Sequence, residues 1–339
     1  MSARVMVTGV AGLIGSHLAR ALLERGHEVV GVDDLSLGRE PNLEPLRAHP
    51  AFRFHRADVL DAPEMERLAA GASIVVHLAA LKIPRYDGYL KTLEVNARGT
   101  EIVLECARRE KARVVFASTD DVYGKNPDPS FSEESALVLG DSKVNRWAAA
   151  ASKMYGEHLC FAYTESHAVP VSIVRYSGVY GPTHQLSRLS GAQDLFIYAA
   201  LTDQPMPIHG DGTQTRPFAH VSDVVEATLR VLEAPYAEGE VVNVGAADHL
   251  SIVNLAYLVW RLAGAQSRPR LRFVPYTDFS RGYEDPRQRR VDTTKVECLL
   301  GHRPAMDLTR GMQLQVEWFR QRLDRIRQAN PAFSLEDQT

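Results

Sequence analysis

The sequence predicts an α/β fold with a doubly wound parallel sheet and a smaller C-terminal lobe that interleaves with it. Strand-length apolar runs alternate with helical patterns over the first half of the chain, which is the order of repeated βαβ units. These runs are continuously apolar, as expected for strands that are covered on both faces. A glycine-rich turn directly follows the first run, and such turns mark the ligand-binding edge of doubly wound sheets.

The elements follow from apolar runs and from the residues that interrupt them. The first helix stops at Gly26, and glycine and proline punctuate the chain after Tyr180, which indicates a loop-rich lobe. We expect a sheet domain over 1–176 with strand 241–244 returning to it, a mainly substrate-binding lobe over 177–330, and a frayed tail over 331–339. The predicted strands are 5–8, 28–32, 52–56, 74–78, 114–118, 171–176 and 241–244, and the predicted helices are 13–25, 93–109 and 148–166.

The composition excludes several classes of protein. Of 339 residues, 45% are hydrophobic and 24% charged, which excludes intrinsic disorder. The formal net charge of -3 gives no field that would collect nucleic acid or a membrane, so a small-molecule ligand is expected. Cys106, Cys160 and Cys298 support neither a disulfide framework nor a metal site, which predicts a cytoplasmic location. No run approaches the ~20 apolar residues that span a bilayer.

The glycine-rich turn occupies residues 8–15, between the first strand and the first helix. Gly9, Gly12 and Gly15 allow a close approach of the backbone, and the N–H groups that open the helix attract a pyrophosphate. Asp33 follows Gly15 by 18 residues, where a carboxylate binds the ribose hydroxyls and repels a 2′-phosphate. The pattern therefore predicts NAD rather than NADP, with Arg39 as a solvated loop residue. The alternative is that residues 8–15 form a glycine-rich turn of an α/β protein that binds no ligand.

Further motifs follow in the same order as in a known family. The glycine spacing is Gly-x-x-Gly-x-x-Gly, His77-Leu78-Ala79-Ala80 ends the fourth strand, Lys82 comes next, and Val95-Asn96 precedes Gly99-Thr100. Over nearly the whole chain this resembles the extended short-chain dehydrogenase/reductase family, particularly its nucleotide-sugar epimerases and dehydratases. The resemblance implies a Rossmann fold, NAD as cofactor and a homodimer formed by helices 93–109 and 148–166. Motif and resemblance together predict as cofactor-binding residues Gly9, Gly12, Leu13, Ile14, Gly15, Asp33, Asp34, Ser36, Asp58, Val59, Leu78, Ala79, Ala80, Lys82, Asn96, Ser118, Lys153 and Tyr176.

The end of the fifth strand carries the expected catalytic hydroxyl. Ser118-Thr119-Asp120-Asp121 resembles the family's catalytic Ser/Thr motif, which implies that Thr119 hydrogen-bonds the sugar O4 as it loses its proton. The alternative is that these residues only cap the next turn.

The family's catalytic tyrosine is missing from this chain. Members carry Tyr-x-x-x-Lys about 30 residues further on, one helical turn apart, and the ammonium lowers the pKa of the phenol so that it can act as general base. Lys153 is in place, but Ala149 stands at the tyrosine position, and Tyr155 would point elsewhere on the helix. Because the neighbouring motifs are intact, we interpret Ala149 as an engineered Tyr→Ala replacement, with natural loss as the alternative. Either way, activity should be abolished or strongly reduced.

The resemblance implies several products from one 4-keto intermediate. We predict an NAD-dependent 4-epimerase of a UDP-sugar, either hexose or hexuronate. Thr119-Asp120-Asp121 also resembles the Thr-Asp-Glu of 4,6-dehydratases, in which an acid protonates O6 and a carboxylate removes H5, although Asp121 is one methylene shorter. Decarboxylation of a uronate is a further alternative. An alternative of another class is a catalytically silent protein that binds NAD or a sugar nucleotide.

The second half of the chain carries the implied contacts to the sugar nucleotide. Gly178 stands where many relatives have an asparagine that contacts the diphosphate, and residues 210–218 match the family's diphosphate and base segment. Within it, Arg216 has the fork geometry that suits phosphate oxygens. The arginine-rich run 287–290 is interpreted as a solvated face. The predicted substrate-binding residues are Lys82, Thr119, Gly178, Gln193, Asp194, Leu195, Arg216, Phe218 and Arg281.

Overall fold

A computed structural model describes residues 2–82, 89–183, 186–187, 190–246, 249–265, 267–278 and 283–335. Its main sheet has seven parallel strands, namely β1 (Arg4–Thr8), β2 (Glu28–Asp33), β3 (Phe52–Arg56), β4 (Ile74–His77), β5 (Arg113–Thr119), β6 (Val171–Tyr176) and β7 (Val241–Val244). Their order across the sheet is β7-β6-β5-β4-β1-β2-β3. This confirms the predicted doubly wound α/β fold. The order reverses between β1 and β4, so a crevice opens at the carboxyl ends of these two strands.

Helices cover both faces of this sheet and build the smaller lobe. The main helices are α1 (Leu13–Glu24), α2 (Ala62–Ala69), α3 (Gly99–Glu110), α4 (Trp147–His167), α5 (Ala192–Leu201), α6 (Val221–Glu233), α7 (Ile252–Leu262), α8 (Thr294–Leu300) and α9 (Leu308–Ala329). On one face β1 and β4 pack against α1 and α6, and on the other they pack against α2, α3 and α4. The apolar character of the strands on both faces is the reason for this two-sided cover.

The helix predicted over 93–109 is interrupted in the structure. A short helix, Tyr89–Leu93, leads into a wider π-helical turn, Glu94–Arg98, before α3 begins. Such a turn re-aims side chains within a helix and is frequent at functional sites. Here the amide of Asn96 donates to the carbonyl of Leu81 (3.0 Å) and to Oγ of Ser152 on α4 (3.0 Å), so the turn joins three elements at one edge of the sheet.

The smaller lobe is built from α5, α7 and α9 around its own apolar cluster. Short strand pairs accompany these helices, Met206–His209 with Leu271–Val274 and Thr215–Pro217 with His249–Ser251. In the sequence, α6 and β7 lie between the segments of the smaller lobe. In the structure, however, α6 packs on the main sheet and β7 pairs with β6, so the two parts of the protein interleave along the chain.

The C-terminal segment differs from the prediction of a frayed tail over 331–339. Phe333 packs edge-on against Tyr198 at 5.3 Å, and Leu335 is only 4% exposed. Its carbonyl accepts a hydrogen bond from Arg272 (2.6 Å). Burial of these two apolar side chains holds residues 331–335 against the smaller lobe, and residues 336–339 lie outside the described part of the chain. Among the described residues, no helix is both long and apolar enough to cross a bilayer.

Candidate active site

A cavity of about 500 Å³ lies at the carboxyl edge of the main sheet, where the strand order reverses. Every residue predicted from the sequence to bind the cofactor contributes to its wall, from the glycine turn after β1 to Lys153 on α4 and Tyr176 at the end of β6. The cavity is therefore formed by residues from widely separated regions of the sequence that the sheet topology brings together. Beyond the predicted set, its wall includes Leu37, Gly38, Lys91, Val95, Thr183 and Arg289.

The glycine turn is shaped for close contact with a ligand. Gly9 has a φ of +70°, and a Cβ there would lie 2.8 Å from the backbone nitrogen of Ala79. Any larger residue at this position would both strain the turn and separate it from the end of β4. Gly12 then precedes α1 without a side-chain cap, so the backbone N–H groups that open the helix face the cavity. This cradle fits a diphosphate.

Asp33 closes the end of the cavity beyond the glycine turn. Its carboxylate accepts hydrogen bonds from the N–H groups of Ala11 (2.9 Å) and Leu35 (2.8 Å), and burial raises its pKa. Arg39, interpreted from sequence as a solvated loop residue, is instead half-buried: it donates to the carbonyl of Gly38 (3.0 Å) and to Oδ1 of Asn330 (3.0 Å). That interpretation is wrong, because Asn330 at the end of α9 folds over the loop.

A buried histidine braces this part of the site, and sequence analysis gave it no role of its own. One ring nitrogen of His77 lies 2.8 Å from the hydroxyl of Thr8 on β1, and the other lies 3.2 Å from the hydroxyl of Thr100 on α3. Burial lowers the pKa of His77 to about 3, so the ring is neutral. The Thr8 hydroxyl in turn accepts from the N–H groups of Leu78 and Ala79, which fixes the cavity wall after β4.

The predicted reaction centre lies between β5 and α4. Thr119 ends β5, and its hydroxyl accepts a hydrogen bond from the N–H of Asp121 (3.2 Å). Ala149 and Lys153 lie one turn apart on α4, and both line the same cavity as Thr119. Lys153 is 6% exposed, and its Nζ lies 4.7 Å above the ring of Phe116. Burial lowers the pKa of Lys153 from 10.5 to about 8.

Among the described residues, no tyrosine of this cavity takes the role predicted for a tyrosine at position 149. Tyr176 lines the wall, but its hydroxyl is paired with that of Thr228 (2.8 Å). Tyr155 lies on the outer side of α4 and is 49% exposed. The structure thus brings together the threonine and the lysine of the predicted centre around the methyl group of Ala149.

Asp120 and Asp121 belong to a buried cluster of charges. Asp121 Oδ1 lies 2.8 Å from Nη2 of Arg146 and 2.7 Å from Nη2 of Arg289. Arg146 is further held by Asp285 (3.0 Å), and its guanidinium lies over the ring of the adjacent Trp147 at 5.3 Å. Asp120 accepts from the hydroxyl of Ser177 (2.6 Å), and burial raises its pKa.

Arg146 and Arg289 were missed by the sequence analysis. The interpretation of 287–290 as a solvated face is wrong for Arg289, because its three aspartate neighbours draw it into the walls of the cavity. The only sequence signal was the density of arginine in a polar segment, which is also typical of an exposed loop.

A second cavity of about 210 Å³ adjoins the first and shares part of its wall, including Asp120, Gly178 and Gln193. Gly178 has a φ of +59°, and a Cβ there would lie 2.0 Å from the carbonyl oxygen of Pro217, so this chain has no room for an asparagine at this position. The predicted residues Leu195, Arg216 and Phe218 line the second cavity, together with Tyr276 and Tyr283, which the sequence did not single out. Arg281 lies outside the described residues.

Arg216 and Asp194 carry the charges of the predicted substrate wall. Nη2 of Arg216 donates to Asp285 Oδ2 (2.5 Å), and burial lowers its pKa. Asp194 lies in the first turn of α5 and accepts from Nε2 of Gln315 (2.7 Å). Burial raises the pKa of Asp194 to about 7, although the charge of Lys82 opposes this.

Comparison with known proteins identifies similar sequences over nearly the whole chain. Residues 5–245 match the model of the NAD dependent epimerase/dehydratase family. The chain is 35% identical over 324 residues to UDP-N-acetyl-alpha-D-glucosaminuronate decarboxylase from Bacillus cytotoxicus, covering 95% of this chain and 99% of the relative. It is also 34% identical over 329 residues to dTDP-glucose 4,6-dehydratase from Streptomyces griseus, covering 94% of each.

Solved structures give the same result for the fold. UDP-glucuronic acid 4-epimerase from Bacillus cereus, solved in complex with UDP-glucuronic acid and NAD, superposes with a TM-score of 0.84 at 29% identity, covering 94% of this chain and 99% of that chain. DesIV, a dTDP-glucose 4,6-dehydratase from Streptomyces venezuelae solved with NAD and TYD bound, superposes with a TM-score of 0.84 at 31% identity. The superposition covers 94% of this chain and 97% of the DesIV chain.

Proposed function

Because this chain belongs to the NAD dependent epimerase/dehydratase family, we propose that it binds NAD and a UDP-hexuronate and that its tyrosine-bearing form is a 4-epimerase. The observation that carries the proposal is that one cavity contains the glycine turn, Thr119, Lys153 and the vacant tyrosine position at Ala149. Such a site has every part of an alcohol-oxidising centre except the general base.

The residues of the first cavity fit NAD. The turn with Gly9 and Gly12 leaves room for a diphosphate against the backbone, and Asp33 lies where a carboxylate can accept hydrogen bonds from ribose hydroxyls. Lys153 lies at the other end of the cavity, beside the predicted reaction centre. When bound, NAD would supply the hydride acceptor and donor for the sugar carbon.

The proton chemistry is assigned to residues of this chain. The Thr119 hydroxyl would hydrogen-bond O4 of the sugar and orient it, and a phenol at position 149 would take the O4 proton. The ammonium of Lys153 would lower the pKa of that phenol by stabilising its anion. With Ala149 in place the proton has no acceptor, so turnover should fall by roughly 10²–10⁴, the usual contribution of a positioned acid or base.

Arg289 supports a hexuronate rather than a hexose as substrate. Its guanidinium lies in the wall shared by both cavities, near the predicted position of the sugar, where a C6 carboxylate would replace one of its partners Asp120, Asp121 and Asp285. The pairing of Asp121 with Arg289 and Arg146 argues against the dehydratase, in which this side chain would have to remove H5.

Decarboxylation is the second candidate, and the curated relatives favour it. The similarity to a decarboxylase of a UDP-hexuronate covers almost the full length of both chains. After oxidation at C4, the uronate is a β-keto acid, so the electron pair of the C5–C6 bond can pass to the ketone as carbon dioxide leaves. Epimerisation instead requires the ketosugar to turn over and take the hydride back on its other face.

The test is the variant Ala149→Tyr with UDP-glucuronate and with UDP-glucose. Product identification by nuclear magnetic resonance should give the C4 epimer of UDP-glucuronate, whereas release of carbon dioxide and a UDP-pentose would establish the decarboxylase. Ala148→Tyr is the matched control, because it adds the same phenol outside the cavity wall and should leave turnover at its low level. If Ala149→Tyr binds both ligands but forms no product, the protein is a binding protein and the enzyme proposal fails.

We also propose a homodimer. Apolar side chains are exposed on α4 and on the short helix beside it, among them Tyr155 (49%), Phe161 (40%) and Leu90 (66%). Exposed apolar side chains on neighbouring helices support the proposal, because protein interfaces are enriched in aromatic residues.

A further inference from the structure

The loop after β2, residues 34–39 (the Arg39 loop), covers the predicted adenosine end of the first cavity. Leu37 and Gly38 line the cavity, and a Cβ at Gly38 would lie 2.7 Å from Oδ1 of Asp33. The loop therefore passes directly over the carboxylate that is expected to bind the ribose. Its end is joined to the glycine turn, because the N–H of Arg39 donates to the carbonyl of Ala11 (3.1 Å). We expect the position of this loop to control how fast a ligand bound at Asp33 can leave.

A second segment of the chain packs beside this loop. Thr183 lines the same cavity, and its hydroxyl accepts a hydrogen bond from the amide of Asn42 (3.4 Å), which follows the Arg39 loop. The same amide donates to the carbonyl of Ala11 in the glycine turn (2.8 Å). Leu186, close after Thr183 in sequence, is only 1% exposed. This end of the cavity is therefore bounded by two segments that lie 141 residues apart in sequence.

Asn330, at the C-terminal end of α9, joins these two segments. Its Oδ1 accepts one hydrogen bond from Nε of Arg39 (3.0 Å) and another from the N–H of Leu186 (3.1 Å). The guanidinium of Arg39 also donates to the carbonyls of Leu37 (3.2 Å) and Gly38 (3.0 Å), so it transmits the hold of Asn330 to the part of the loop that lines the cavity. One amide oxygen thus keeps both segments in place.

The side chain of Asn330 is itself fixed to the smaller lobe. Its Nδ2 donates to the carbonyl of Ile326 (2.7 Å), and its own carbonyl accepts from the N–H of Phe333 (3.0 Å). Ile326 is fully buried in the apolar cluster of that lobe, and Asn330 is 6% exposed. Asn330 is not among the described residues that line either cavity. It can therefore act on a ligand only through the segments that it holds.

We propose that Asn330 is a positioning residue that holds the Arg39 loop over bound NAD and so slows the release of the cofactor. The inference rests on the proposed binding of NAD and adds to it a residue outside the cavity that sets how long NAD stays bound. Without the amide oxygen, the loop loses a hydrogen bond from a charged donor. The rate of NAD release should then rise roughly 10- to 100-fold, the equivalent of one such bond.

The measurement is the release of radiolabelled NAD from the loaded protein after addition of excess unlabelled NAD. Asn330→Leu keeps the approximate size of the side chain but removes the acceptor, so it should release NAD faster than the parent. Asn330→Asp keeps an acceptor oxygen for Arg39 and Leu186 and should release NAD at nearly the rate of the parent. Arg39→Met removes the donor on the other side of the bond and should also release NAD faster. The effects of Asn330→Leu and Arg39→Met should not add in the double variant, because both remove the same contact.

Asn126→Leu is the matched control for the loss of a buried asparagine. Asn126 is 9% exposed, accepts from the N–H of Asp128 (2.7 Å) and donates to the carbonyl of Ala136 (2.8 Å), but it is not among the described residues that line either cavity. Asn126→Leu should lower the temperature of thermal unfolding, as Asn330→Leu does, and leave the rate of NAD release unchanged.

The outcomes separate this inference from the proposed function. A parent that binds no NAD overturns the proposed function and the inference with it. If the parent binds NAD, the inference alone is overturned by an unchanged release rate in Asn330→Leu, by fast release from Asn330→Asp, or by equally fast release from Asn126→Leu. Should Asn330→Leu fail to fold, Arg39→Met decides, and release at the rate of the parent from that variant overturns the inference.

Discussion

The buried ammonium of Lys153 lowers the stability of the folded protein. Burial lowers its pKa from 10.5 to about 8, so below pH 8 the folded protein holds a charge that the unfolded chain solvates better. The unfolded state binds more protons than the native state between pH 8 and 10.5. The free energy of unfolding should therefore rise with pH through this window. At neutral pH the destabilisation by the buried ammonium is fully present.

We predict that Lys153→Met stabilises the protein at pH 7 by up to about 3 kcal/mol, the equivalent of the lowered pKa. The gain should shrink as the pH rises from 8 to 10.5, because the parent loses the charge there. Thermal unfolding at a series of pH values is the measurement. The same variant should be stabilised less by added NAD than the parent, because it has lost a residue of the predicted cofactor site.

Lys143→Met, at the surface, is the control and should change stability by less than about 0.5 kcal/mol. A Lys153→Met protein that is less stable than its parent at pH 7 would show that the ammonium has a favourable partner after all.

At the residue scale, the sequence predicts the position of a side chain when that position follows from its spacing along a single strand or helix. Thr119 follows a strand, and Lys153 lies one helical turn from position 149, so local geometry suffices to bring them to one edge of the sheet. Arg146 and Arg289 could not be predicted in this way. Arg289 is only four residues from Asp285, but Asp121 and Arg146 belong to the first half of the chain, and only folding brings the four charges together.

At the scale of elements, one buried ion pair fastens helix α4 to the sheet. Glu157 on α4 meets Arg175 on β6 through two hydrogen bonds, and it also accepts from Ser118 on β5, directly before Thr119. Both charged side chains are about 5% exposed. Because Lys153 is one turn away on the same helix, this pair positions the lysine relative to the end of β5.

We predict that Glu157→Ala destabilises the protein by about 3–5 kcal/mol, because it leaves the Arg175 guanidinium buried without its anion. The double variant Glu157→Leu with Arg175→Met should lose less than the single variant, since it removes both charges and restores apolar volume. Urea unfolding of all three proteins gives the comparison.

Glu24→Ala is the matched control, because its pair with Arg20 on α1 is exposed and should contribute at most about 0.5 kcal/mol. Equal losses for Glu157→Ala and Glu24→Ala would show that the buried pair does not fasten α4.

Elements differ in how far the sequence predicts them, for physical reasons. Most strands of the main sheet are apolar runs, although the edge strand β3 contains Arg53, His55 and Arg56. Even β7 could be predicted although it joins from the second half of the chain. The break of helix 93–109 could not, because it depends on the bonds of Asn96 to Leu81 and to Ser152. The strand pairs of the smaller lobe are only three or four residues long, and tertiary contacts set their pairing.

At the scale of the whole molecule, the two parts of the chain are tied together at the ends of the first cavity. The Arg39 loop is bonded to Asn330 at the end of α9, and Gln315 within α9 donates to both Asp194 and the carbonyl of Gly181. The last long helix therefore supports both the predicted adenosine end and the predicted sugar end of the site. This also explains why the described C-terminal residues are packed rather than frayed.

The proposed homodimer gives a prediction at the same scale. The parent should sediment at twice the mass of the 37.6 kDa chain, because pairing of two α4 helices would cover the apolar side chains exposed there. Combined substitution of Tyr155→Glu and Phe161→Glu places two like charges at that contact in each subunit and should shift sedimentation to the monomer. Tyr257→Glu introduces a charge at a similarly exposed aromatic on α7, away from α4, and should leave the dimer intact. A parent that sediments only as a monomer refutes the dimer, whereas a dimer that persists in the double variant shows that another surface forms it.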